Sequence, residues 1–192
     1  MNNNEALQLF SLKAFKKDQL DIDYMGLSQA FVDYSQGLPL ALEILGSSLF
    51  KKSKDVWESA LDRLKEYPDK NISNVLKMSY DELEEIEKEI FFYIACFFNH
   101  KNQETIIEII DYLKLDKIGF SVLIDKSLIK VYKKQLWMHA LLQEMGQDIV
   151  RQESPKAPGK RSRLWLYKDI DNVLTRNTVR GYRRNLSIHL II

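Results

Sequence analysis

Cysteine is nearly absent: Cys96 is the only one in 192 residues, which excludes a disulfide scaffold. It lies inside an apolar run, so it is expected to behave as a small hydrophobe. Long apolar stretches are missing too. The longest, Ile90 to Phe98, has nine residues, well short of the roughly 20 that span a bilayer. The N-terminus, Met1-Asn2-Asn3-Asn4-Glu5, has neither the basic start nor the apolar core of a signal peptide. These absences lead us to expect no membrane association and a location in the cytoplasm or nucleus.

Catalytic signatures are equally scarce. The chain has no His and Glu pair with metalloprotease spacing, no Cys pair for zinc and no Gly-x-Ser-x-Gly elbow. It also has no Gly-rich phosphate loop with its Lys and Ser or Thr. The three histidines, His100, His139 and His189, are scattered without metal-site spacing. The acidic stretch Asp81-Glu82-Leu83-Glu84-Glu85 reads as a solvated linker and helix start, where carboxylates suit the helix dipole. No enzyme and no metal site are expected.

What is present is an ordinary globular composition, 45% apolar and 29% charged, over a length suited to one domain or two small ones. The net charge of +1 hides an asymmetry. Residues 1–150 carry 18 basic and 24 acidic side chains; residues 151–192 carry 10 and 3. Arg151, Lys156, Lys160, Arg161, Arg163, Arg180, Arg183 and Arg184 belong to the basic part. We read it as a solvated loop and tail complementing the acidic body, since a nucleic-acid module spreads its cations over a folded face.

The first half predicts short amphipathic helices. Asn4 is the expected N-cap of the first, with Ala6, Leu7, Phe10 and Ala14 on one face. Leu27, Phe31 and Tyr34 form the next stripe, closed by Gly37 at a C-cap. Pro39 suits a first helical turn, and Leu42, Leu45 and Leu49 carry that helix to about Phe50. A fourth helix turns Trp57, Leu61 and Leu64 inward before Pro68 stops it.

The second half begins with a linking helix around Ile72, Val75 and Leu76. Ile86, Ile90, Phe91 and Ile94 mark a strongly apolar helix leading into Cys96-Phe97-Phe98. Ile106, Ile107, Ile110 and Leu113 predict another, and Ile118, Val122 and Leu123 a third. Leu128 to Tyr132 alternates, and Lys133-Lys134 could turn it into Gln135-Leu136-Trp137-Met138, a hairpin. Three helices and a hairpin follow winged-helix order. A last helix holds Leu142, Met145 and Ile149 in register. After a polar loop from Glu153 to Arg163, Trp165, Leu166, Val173 and Leu174 are expected to dock back. The fold class is therefore mainly α: a small helical bundle followed by a winged-helix domain with a short β-hairpin.

Five motifs occur in order: Gly37-Leu38-Pro39-Leu40-Ala41, Ile94-Ala95-Cys96-Phe97-Phe98, Trp137-Met138-His139, Leu141-Leu142-Gln143-Glu144-Met145-Gly146 and Arg151-Gln152-Glu153-Ser154-Pro155. Together they resemble the NB-ARC module of plant intracellular immune receptors, in the class with an N-terminal TIR domain and C-terminal leucine-rich repeats. The resemblance covers about residues 4–178. It implies a helical ARC subdomain over 4–66, a linking helix over 67–80, a winged-helix ARC subdomain over 81–170 and a divergent basic tail over 171–192. It further implies an ADP/ATP switch whose P-loop domain precedes this segment, with that domain and the leucine-rich repeats of the same or a related receptor as partners. Without the P-loop, tight nucleotide binding by this chain alone is not expected.

Two residues carry over from the family. Pro39 resembles the proline that lies against the adenine, and His139 the histidine that reaches the β-phosphate of ADP. Ala140 departs from the family's Asp; the change removes a carboxylate that could cap the helix, and would bias a full-length receptor towards activity or leave it degenerate. The end departs as well, from Val179 on, and Ile188, Leu190, Ile191 and Ile192 form an apolar terminus with an aggregation liability. The alternatives are a winged-helix DNA-binding protein, reading DNA with about Lys117 to Lys126, and a free-standing adaptor or decoy for intact receptors. The balanced charge of that helix disfavours nucleic acid.

Overall fold

A computed structural model describes residues 1–17, 22–66 and 72–175. Pro68 and the tail from Arg176 to Ile192, on which several expectations fall, lie outside these. Among the described residues the architecture is mainly α, with one two-stranded antiparallel sheet, as the residue periodicity predicts. The chain divides into two compact units, one of Met1–Glu85 with Ser121–Ile129, the other of Ile86–Phe120 with the chain from Lys130 on.

The first unit contains α1 (Asn3–Phe15), α2 (Met25–Ser35), α3 (Pro39–Leu49), α4 (Lys54–Lys65) and α5 (Ile72–Asp81). Asn2, not Asn4, caps α1. Its Oδ1 accepts the Glu5 N–H at 2.9 Å while its own N–H donates to Glu5 Oε2 at 3.0 Å. Of the three N-terminal asparagines, Asn2 alone lies three residues before a Glu, the spacing this reciprocal box needs, which places the cap there. Ala6, Phe10 and Ala14 are buried, but Ser11 takes the place expected for Leu7, its hydroxyl donating to the Leu7 carbonyl at 2.7 Å. Trp57 of α4 is the hub of the core. Phe10, Phe15, Tyr24 and Phe31 all lie with ring centroids 4.8–5.9 Å from it, and its indole N–H donates to the Leu49 carbonyl. Polar ties complete the unit. Ser127 Oγ meets Ser47 Oγ at 2.9 Å, and Glu82 accepts from both Arg63 and Lys126.

The second unit begins with α6 (Glu85–Tyr93), which passes into a π-helical turn over Ile94–Phe98. Then follow α7 (Gln103–Tyr112), α8 (Lys117–Asp125, whose residues from Ser121 on belong to the first unit), β1 (Lys130–Tyr132), β2 (Gln135–Trp137), α9 (Ala140–Glu153) and α10 (Tyr167–Thr175). The hairpin pairs Lys130 with Trp137, Val131 with Leu136 and Tyr132 with Gln135. Lys133 and Lys134 both take positive φ, 48° and 64°, the requirement of the two-residue turn that matches strand twist. Ile90, Phe91, Ile94, Phe98, Ile106, Ile110, Leu136, Leu142 and Val150 fill the core. Two expected core residues stay outside: Ile86 and Ile118 are exposed, the latter by 67%. Of the apolar return, Val173 is buried, whereas Leu166 and Leu174 are exposed.

Candidate functional site

Pro39 and His139 stand on different units. In the first, α2 ends with Gln36 and Gly37 both in the left-handed region, at φ 51° and 68°. Gly37 suits that conformation because it has no Cβ to collide with the following carbonyl. Leu38 then runs extended and Pro39 occupies N1 of α3, where its fixed φ is helical and no N–H is lost. The Pro39 ring is exposed. Gly37 also lines an open hollow of about 320 Å³ with Asn2, Asn3, Val32, Asp33 and Gln36, at the low end of the size range of small-molecule sites.

In the second unit His139 is exposed and is itself the N-cap of α9. Its Nδ1 accepts the Leu141 N–H at 3.2 Å, and its carbonyl accepts the Gln143 N–H at 3.0 Å. An Nδ1 that accepts leaves the neutral ring's proton on Nε2. Residue 140 is thus N1. An Asp there would sit beside the helix dipole but would not be the cap, because His139 already fills that role. The loss of a capping carboxylate expected for Ala140 is corrected accordingly.

Behind His139 lies a polar network absent from the sequence reading. Asn99 grips the backbone of Met138, its Oδ1 accepting the Met138 N–H at 2.9 Å and its Nδ2 donating to the Met138 carbonyl at 3.1 Å. Nδ2 also donates to Gln143 Oε1 at 2.8 Å. Gln143 and Gln147 both donate to the Ala95 carbonyl, at 3.1 and 3.0 Å. That carbonyl is available because Asn99 N–H bonds Ile94, five residues back. Nothing local signals the π turn: Ile94 to Phe98 has neither Gly nor Pro. Gln143 and Gly146 were legible only as members of a motif.

The basic segment behaves differently from a solvated loop. Arg161 and Arg163 are buried, at 6% and 3% exposure. Arg161 pairs with Asp169 at 2.8 Å and donates to the Ser154 and Pro155 carbonyls. Arg163 pairs with Glu89 at 2.5 Å and lies over the Tyr93 ring, 4.5 Å from its centroid. Burial pushes the Tyr93 phenol above its usual range, and the Arg163 charge works against that shift. Burial likewise pushes the Cys96 thiol up to about 12. Lys117, at the start of α8, pairs with Asp111, and Lys126, just past its end, pairs with Glu82, so both cations of the supposed DNA-reading segment are matched. Among the described residues no cluster of His, Cys, Asp or Glu could hold a metal, and no helix is long and apolar enough to cross a membrane.

A wing hairpin behind three helices, following a five-helix unit, defines a winged-helix segment. Residues 84–154 match the family described as Disease resistance protein Roq1-like, winged-helix domain. The chain belongs to the TIR-NBS-LRR class of plant disease resistance proteins. It is 42% identical over 191 residues to Disease resistance protein RUN1 of Vitis rotundifolia, covering 99% of this chain and 14% of that protein. It is 44% identical over 176 residues to Disease resistance protein RPV1 of the same species, 91% of this chain and 13% of that protein. TMV resistance protein N of Nicotiana glutinosa is 39% identical over 178 residues, 92% of this chain and 15% of that protein. The chain therefore spans about a seventh of the length of the curated relatives it matches.

Proposed function

We propose that this chain is the ADP-sensing segment of a plant immune receptor, acting on nucleotide held by a separate P-loop domain. Residues 4–66 are the helical ARC subdomain, 67–80 the linking helix and 81–170 the winged-helix ARC subdomain. The observation that carries the reading is the state of His139. It is exposed at the start of a 14-residue helix, with Nδ1 accepting the Leu141 N–H so that Nε2 is the ring nitrogen left to donate. A neutral imidazole so arranged donates from Nε2 to a phosphate oxygen, and the positive end of α9 favours the same anion. Pro39 offers an exposed apolar ring face at a helix start, two residues after Gly37. Its missing N–H lets an aromatic base lie flat without burying a donor.

The P-loop domain and the leucine-rich repeats of the same or a related receptor are the partners, in the cytoplasm or nucleus. The chain contributes recognition and switching, with no chemistry of its own. Isothermal titration tests this. ADP binds the 192-residue chain no tighter than the high micromolar range, and binds more tightly when a relative's P-loop domain is supplied. Pro39→Ala and His139→Ala each weaken the shared binding. Nanomolar affinity for the chain alone, or indifference to both substitutions, would overturn the reading.

A further inference from the structure

We infer that Asn99 is the positioning residue for His139, holding the histidine through the π-helical turn that precedes it; the inference rests on the reading of His139 as the phosphate-sensing group. In α geometry Asn99 N–H would bond the Ala95 carbonyl, four residues back. It bonds Ile94 at 3.1 Å instead, and the released Ala95 carbonyl is taken by Gln143 and Gln147 of α9. The π turn is thereby stitched to α9.

The same register presents the Asn99 amide to the backbone just before His139. Both polar groups of Met138 are held, as a neighbouring strand would hold them, and the second Nδ2 hydrogen goes to Gln143 Oε1. Asn99 thus uses both side-chain donors and its oxygen, a set no other side chain of its size offers. Gln143 closes the circuit, its N–H bonding the His139 carbonyl at 3.0 Å. His139 is bracketed on both sides, and the Leu141 N–H fixes its ring. Aspartate at 99 would lose both donors, and leucine would leave the Met138 groups unpaired.

The test is nitrogen-15 NMR of the His139 ring in the 192-residue chain, with ADP titration of the chain plus P-loop domain alongside. In the wild type, His139 shows one tautomer, protonated at Nε2. Asn99→Ala is expected to replace it with a tautomer mixture and to weaken ADP roughly tenfold, the scale seen when the outer partner of a ligand histidine is removed. Gln147→Ala removes a bond to Ala95 without touching Asn99 or Met138, and is expected to leave the His139 signals unchanged. If Asn99→Ala does not fold, Asn99→Asp, which keeps the acceptor for Met138, takes its place with the same expectation. An unchanged His139 spectrum in the Asn99 variant, or an equal change in Gln147→Ala, overturns the positioning role. Should His139→Ala leave ADP binding intact while Asn99→Ala still frees the ring, the phosphate-sensing reading fails and the positioning role stands.

Discussion

Arg163 holds a full positive charge at 3% exposure, against Glu89 and over the Tyr93 ring. Removing one partner of a buried ion pair is costly when it strands the other charge. Glu89 is half exposed and can rehydrate, so the loss is mainly stacking and hydrogen bonding. Arg163→Ala should therefore destabilise the chain by about 1–3 kcal/mol in urea unfolding. Arg163→Met, which keeps the volume, should cost less. Cys96 follows Tyr93 by three residues, on the π turn, with its thiol pushed up to about 12 by burial against an ordinary value of 9.0. The raised native value stabilises the fold fully below about pH 9, and that contribution fades as pH climbs from there to about 12. At pH 8 the thiol should react with Ellman's reagent at least about tenfold more slowly in the native chain than in urea.

At the scale of the element, α9 is decided at two points. Gly146 lets it approach the π turn: a Cβ there would come within 2.8 Å of Ala95 Cβ and 2.9 Å of Phe91 Cε1. Gly146→Ala should gain helix propensity yet lose about 1–3 kcal/mol to overpacking. A net rise in melting temperature would show that the contact yields. At the start of α9, Ala140→Asp adds a carboxylate at N1 without displacing the His139 cap. It should raise stability by about 0.3–1 kcal/mol at low salt, less at high salt, in circular-dichroism melts. The elements themselves were largely legible. Leu42, Leu45 and Leu49 recur at helical spacing, and the Lys133-Lys134 hairpin sits between alternating stretches. Their ends were less so. Asn2 outcompeted Asn4 because Glu5 completes its capping box, and the π turn rests on tertiary bonds to Ala95.

For the molecule as a whole, the paired cations Lys117 and Lys126 matter more than the near-zero net charge. With Lys117 and Lys126 matched to Asp111 and Glu82, few counterions would be released on DNA. Micromolar protein should leave duplex DNA unshifted in gel electrophoresis at 0.1 M salt. A salt-sensitive shift would bring the DNA reading back. The basic balance of residues 151–192 misled in one respect: two of its arginines, Arg161 and Arg163, serve inside the fold.

Periodicity, proline and glycine placement, and five short motifs in order were enough to set the helices, the wing and the family, because these depend on local backbone preference and on which face is apolar. Pro39 and His139 are likewise proposed as site residues from motif alone. Which polar groups are buried was settled only in three dimensions. Arg163 finds Glu89 and Tyr93, and Asn99 finds Met138 and Gln143, across tens of residues of chain. A charged or amide side chain shows in sequence what it can donate or accept, whereas its partner is chosen by packing.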